Sequence, residues 1–265
     1  MVDASKGIVT LTTDFGYRDP YVGTVKGVML ANCDSLTIVD LTHGITPFSV
    51  LEAGFVLRGA CSYFPRGTLH VAVVDPGVGG ARRIVYLEKS GQRFLAPDNG
   101  LLTPFFEGAS ALLSVEKSEF IPDGASYTFH GRDIFAPLAA RLCAGLEPGR
   151  LGPALSDPVT VVLPEPTLSG GTIGGRVIYV DGFGNLVTNI DAALLDQLGP
   201  TPCVHLKGIT VGELRQTYEG AARGEPLALI NSFGLLEIAL RERNAAEHFK
   251  AAAGDEVFAR RRFLS

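Results

Sequence analysis

The chain is 265 residues long, 46% apolar and 19% charged, with a formal net charge of −5. These proportions fit a packed globular protein of one large or two modest domains and exclude a disordered chain. The acidic balance argues against a nucleic-acid partner, which a basic face would announce, and no apolar run approaches the ~20 residues of a membrane span.

The first six residues, Met1-Val-Asp-Ala-Ser-Lys6, lack the charged and then apolar order of a secretion signal. Cys33, Cys61, Cys143 and Cys203 are scattered without a C-x-x-C pair. They read as buried small hydrophobes in a reducing compartment, so a cytoplasmic protein is expected. The basic run Ala259–Phe263 reads as a solvated tail or a subunit contact.

Strand-like and helix-like segments alternate from the start. Ile8–Thr12 is short and β-branched, and residues 21 to 30 carry helical apolar spacing. Leu36–Asp40 reads as a second strand, Val50–Cys61 as a helix and Leu69–Val74 as a third strand. Strands spaced by helices imply a mostly parallel sheet covered on both faces, a three-layer α/β domain over residues 1–163. Ligands gather beyond the carboxyl ends of such strands, where Asp14, Asp40 and Asp75 stand. Residues 164–171, with two prolines and paired glycines, read as a linker. Beyond it, residues 174–180, 204–209, 226–230 and 235–240 are short strand patterns between glycine turns. They predict a β-barrel-like or sandwich domain over 172–265.

Several motifs invite chemistry. Pro76-Gly-Val-Gly-Gly80 matches neither the phosphate loop nor the dinucleotide fingerprint, and shows only a turn passing close to something. No paired-histidine spacing supports a metal, and none is expected. Asp14 follows a buried-looking strand. It reads either as a turn carboxylate or as the two-oxygen acceptor of a sugar diol. Asp19, before Pro20, suits a helix start. Asp75 ends a strand, and Arg82 and Arg83 follow it across the glycine turn. Spacing leaves a structural ion pair and a catalytic one equally open, with either arginine. Of the five histidines His130 is best placed to exchange a proton. His43 resembles a turn residue, His70 and His205 sit in strand patterns, and His248 sits in a helical one.

Six stretches then fall in a suggestive order: Ile8–Gly16, Val73–Gly79 with Arg82, Ala96-Pro-Asp-Asn-Gly100, Phe129–Pro137, Asp181–Asn189 and Asn231–Ala239. Together, across about residues 8 to 250, they resemble the S-adenosylmethionine hydroxide adenosyltransferases, hydrolytic relatives of the fluorinase and chlorinase. The resemblance implies an α/β domain followed by a β-barrel-like domain, assembled as a homotrimer with active sites at subunit interfaces. It implies hydrolysis of S-adenosylmethionine, the only small-molecule partner and no cofactor, by water attack at the ribose C5′. Asp75, Arg82 and His130 match the water-activating set. Asp14 matches the ribose-diol carboxylate, and Asp19 a position near the methionine end. Asp181, Phe183 and Asn185 match nucleoside and methionine contacts, followed by Ser232, Phe233, Glu237, Asn244 and Ala245. Phe233 stands where the fluorinase has an arginine. His130 and Gly131 follow the hydrolases, since halogenating relatives carry tyrosine at the first position and the fluorinase serine at the second. A halogenase, or an S-adenosylmethionine or adenosine sensor without turnover, is the alternative.

Overall fold

A computed structural model describes residues 7–116, 119–199 and 201–261. The start Met1–Lys6 and the end of the basic run, Arg262 and Phe263, lie outside the described residues. The chain divides into two compact units, Met1–Leu163 and Pro164–Ser265.

The first unit is built on strands β1 (Ile8–Thr13), β2 (Thr37–Thr42), β3 (Leu69–Val73), β4 (Ile84–Lys89), β5 (Gln92–Pro97) and β6 (Ala111–Ser114). They form one sheet in the order β2-β1-β3-β5-β4-β6. β1 pairs in parallel with β2 and β3, and β3 with β5, whereas β4 runs antiparallel to β5 and β6. The side-chain period of two sorts β3 between two cores. Leu69, Val71 and Val73 face helices α1 (Tyr21–Asn32) and α4 (Ala136–Cys143). Ala72 and Val74 pack with Leu57 of α2 (Val50–Ala60) and Phe105 of the short α3 (Thr103–Phe106). Burial on both faces explains why β1 and β3 read as almost unbroken apolar or threonine runs.

The second unit contains β7 (Thr167–Ser169), β8 (Thr172–Val180), β9 (Leu186–Asp191), β10 (Cys203–Leu206), β11 (Ile209–Arg215), β12 (Pro226–Ile230), β13 (Leu235–Leu240) and β14 (Glu256–Arg260). Short helices α5 (Ala192–Asp196) and α6 (Ala245–Phe249) join them. The β14–β8 pairing closes a seven-stranded barrel, with β7 as a short flap on β8. Ile173, Val177, Leu236, Ile238 and Val257 fill its interior. Closure leaves few unpaired backbone groups at a sheet edge.

Two expectations change. Thr167–Ser169, inside the stretch read as a linker, is a strand paired with β8, and Asn189 Nδ2 donates to the Pro164 carbonyl at 2.6 Å. Residues 204–209 are not one strand but the corner of the β10–β11 hairpin. Lys207 and Gly208 both take positive φ (50° and 79°), the tight-turn geometry. The β4–β5 hairpin, for which the sequence carried no expectation, turns at Ser90-Gly91, with one glycine and no Asn-Gly signature. Of the cysteines, Cys61 is buried, while the free thiols of Cys33, Cys143 and Cys203 are half-buried. Among the described residues, no helix is long and apolar enough to cross a membrane.

Candidate active site

β3 ends at Val73, and two residues later Asp75 falls on the α4 side of the sheet by the same alternation. The chain then makes the Pro76–Gly80 turn. A side chain at Gly79 (φ 77°) would collide with the Tyr127 backbone, so what this glycine turn passes closely is the approach to His130. The turn returns Arg82 to the carboxylate. Arg82 Nε and Nη2 both donate to Asp75 Oδ2, at 2.8 and 2.6 Å. Arg82 Nη2 also donates to His130 Nδ1 at 2.7 Å. The two side chains of the ion pair are only 4% and 11% exposed. Asp75 Oδ1 is buried and accepts no hydrogen bond among the described residues.

His130 immediately precedes a π-helical turn, Gly131–Phe135, that runs into α4. A widened turn of this kind is frequent at functional sites because it re-aims one side chain. Gly131 is buried, and a Cβ there would press on the rings of Phe15 and Phe129 at 3.3–3.4 Å. Burial, and then the positive charge of Arg82, lower the His130 pKa below its ordinary value. Arginine has no lone pair to offer, so its N–H must meet an unprotonated Nδ1. The proton of the neutral ring therefore sits on Nε2.

Asp14, Asp75 and His130 line a cavity of about 270 Å³ in the first unit. Phe15, Tyr21 and Phe129 form its aromatic wall, with edge-on ring distances of 5.1–6.0 Å. Asp14 Oδ2 accepts from the Phe48 amide at 2.9 Å, so the turn reading of Asp14 is satisfied while its carboxylate still lines the cavity. Arg83 is held elsewhere: it pairs with Asp98 at 2.7 Å and Asp157 at 2.8 Å, which leaves Arg82 as the arginine beside Asp75. Arg132 pairs with Asp133, whose Oδ2 accepts from the Ser126 amide.

Other residues fall outside this group. Asp19 is exposed and absent from the cavity wall. Pro20 occupies the cap position of α1 with no side-chain hydrogen bond, so Asp19 makes no cap either. Asp40 lies within β2, bound to Lys26 and Tyr17. His43, read as a turn residue, is buried and meets Thr13 Oγ1 through Nδ1 at 2.7 Å.

In the second unit Asp181, Phe183, Ser232, Phe233 and Glu237 line a cavity of about 530 Å³. Phe183, Asn185 and Asn244 line another of about 680 Å³. Asp181 Oδ1 accepts the amides of Phe183 and Asn185, folding the Asp-Gly-Phe-Gly-Asn turn and leaving Phe183 82% exposed. Asn244 caps α6 through the Glu247 amide. Ala245 is in the barrel core, so its side chain is not on a cavity wall. Tyr218, absent from the sequence expectations, lines both cavities and donates to Glu237 Oε1 at 2.7 Å. Burial raises the pKa of Glu237 and also that of Tyr218. A tyrosine in the polar stretch Gln216–Gly220 carries no periodic signal, and only its exposure to a ligand-sized hollow marks it. Among the described residues, no three potential metal ligands cluster.

Residues 9–152 match the N-terminal domain of the SAM hydroxide adenosyltransferases, and residues 175–258 match their C-terminal domain. The chain is 34% identical to the (R)-S-adenosyl-L-methionine hydrolase of Salinispora arenicola, across 96% of this chain and 98% of that one. It is 33% identical to the fluorinase of an Actinoplanes species, across 90% and 91%. An uncharacterized conserved protein from Thermotoga maritima superposes with a TM-score of 0.89 at 35% identity, over 96% of this chain and all of the other.

Proposed function

Since this chain belongs to the SAM hydroxide adenosyltransferase family, we propose that it hydrolyses S-adenosyl-L-methionine to adenosine and L-methionine. Water attacks C5′ of the ribose, the C5′–S bond breaks with its electron pair going to sulfur, and one proton is released. The sulfonium leaves as a neutral thioether and needs no acid, so the protein's task is to place and polarise water at about 3–3.5 Å from carbon. The observation that carries this reading is Arg82, held between Asp75 and His130 at hydrogen-bond distance from both.

Asp75 Oδ2 is occupied by Arg82, whereas Oδ1 is buried and meets no donor among the described residues. Oδ1 is the oxygen suited to accept the water proton as the C–O bond forms. His130, with Nδ1 engaged by Arg82, presents Nε2–H and orients the water as a donor. Asp14 takes the ribose hydroxyls. Phe183, Tyr218, Asn185 and Asn244 take the nucleoside, and Asp181, Ser232 and Glu237 the methionine end, in the homotrimer that the resemblance implies. Asp19, Phe233 and the Ala245 backbone remain candidate contacts of that assembly. The glycine at 131 and the histidine at 130 support water over halide as the nucleophile, although fluorinases are among the relatives.

Turnover of the (R)-sulfonium substrate in ¹⁸O-labelled water tests the reaction directly. Label is expected in the adenosine 5′-hydroxyl. Unlabelled adenosine, or no adenosine at all but 5′-haloadenosine once halide is added, rules the displacement by water out.

A further inference from the structure

The Asp98-Asn-Gly100 turn after β5 has no part in the chemistry proposed above, yet it grips the catalytic loop at both ends. At the entry, Asn99 Nδ2 donates to the carbonyl of Val74, the residue before Asp75, at 2.8 Å. At the exit, the Asp98 amide donates to the Arg83 carbonyl at 2.9 Å, and Asp98 Oδ2 accepts from Arg83 Nε at 2.8 Å. Asp98 is buried, its side chain 1% exposed, and its second oxygen accepts the Val159 amide at 2.8 Å. Asn99 is fixed in turn, because its Oδ1 accepts the Leu101 amide at 3.2 Å.

We infer that Asp98 and Asn99 are positioning residues that set the Asp75–Arg82–His130 geometry by clamping the two ends of the 75–82 loop. The clamp also sorts two neighbouring arginines. A carboxylate beside Arg83 holds it away, so Asp75 meets one guanidinium in one geometry. The flanking strands are held by backbone pairing at Val73 and Ile84, and Asp98 and Asn99 add side-chain bonds at the residues between those strands and the ion pair. Displacements of about 1 Å at such a site cost about a hundredfold in rate. The inference rests on the hydrolase reading for its kinetic consequence, but the clamp itself has a readout that needs no turnover.

That readout is the titration of His130, followed by NMR of its C2 proton. The charged groups that face the ring are Arg82, Asp75 and Asp133, and Arg82 opposes its protonation. Asn99→Asp keeps the side-chain shape and the acceptor for Leu101 but replaces the donor at Val74 with a carboxylate oxygen. It is expected to loosen Arg82 from His130, raise the histidine titration toward its ordinary value, and lower kcat about ten- to a hundredfold with KM within about twofold. Asp98→Asn, which retains an oxygen for the Val159 amide, should shift both in the same direction and covers the case in which Asn99→Asp does not fold. An unchanged His130 titration with wild-type kcat in a folded variant overturns the clamp. If Asp75→Asn keeps full activity, the hydrolase reading of the loop fails, and the His130 titration still decides the clamp.

Discussion

At the residue scale, one guanidinium organises the site. Arg82 holds Asp75 Oδ2 and His130 Nδ1 at once, and so leaves Asp75 Oδ1 and His130 Nε2 as the atoms that the proposed mechanism turns toward water. On the proposed mechanism, His130→Ala removes the donor that orients the nucleophile and leaves the other polar residues of the cavity, Asp14 and Asp75, in place. Its kcat is expected to fall a hundredfold or more with KM changed by no more than about threefold. Steady-state kinetics returning a wild-type kcat would reduce His130 to a structural part. A second histidine bears on stability instead. His70 is buried between Thr10, Gln92 and a stacked Phe94, and burial lowers its pKa from 6.5 to about 4. Between those values the unfolded chain binds more protons than the folded one, so stability is retained above the upper value and falls as pH drops toward the lower. The full difference is on the order of 3 kcal/mol. Urea midpoints across this range should decline with acid, and less steeply in His70→Asn. Parallel slopes in the two proteins would show that other groups carry the acid sensitivity.

At the scale of elements, the features that bring Asp75, Arg82 and His130 together are turns rather than strands or helices. The Pro76–Gly80 turn can pass Tyr127 only because Gly79 has no side chain and a φ of 77°. Gly79→Ala therefore meets both a strained conformation and a backbone collision. A cost of about 2 kcal/mol or more is expected, which lowers the melting temperature by about 4–8 °C. Gly108→Ala, at φ 69° but with open space around its Cβ, is the control and should lose only about 1 kcal/mol. Equal losses at the two positions would remove the collision with Tyr127 from the account. The regular elements were mostly legible in the sequence. Ile8–Thr13, Tyr21–Asn32 and Leu69–Val73 follow their predicted spans because burial on one or two faces writes a period into the residues. The β4–β5 hairpin and the Lys207-Gly208 corner were not, since a single glycine after serine or lysine is a weaker turn signal than an Asn-Gly or Asp-Gly pair.

At the scale of the molecule, each unit carries its own hollow: Asp14, Asp75 and His130 line one, and Phe183, Asn185 and Tyr218 line another. A single S-adenosylmethionine has a nucleoside, a sulfonium and an amino acid to be held, and the proposed homotrimer would let both kinds of hollow serve it. Light scattering is expected to give about three times the 28.0 kDa of one chain. Full specific activity from a monomer would separate catalysis from assembly.

The linear chain carried the order of α/β unit and barrel, the family resemblance and the candidacy of Asp75 and His130, because residue type, spacing and motif order are its own properties. It could not choose between Arg82 and Arg83, reveal that His43 is buried or find Tyr218. Those depend on which residues, often distant in sequence, fold back to meet. Asp98 and Asp157 are 15 and 74 positions from Arg83, and their two carboxylates hold its guanidinium, leaving its neighbour for Asp75. Only the tertiary structure brings those charges within hydrogen-bond distance, and at that distance the energies that decide an ion pair first become large enough to sort one arginine from the next.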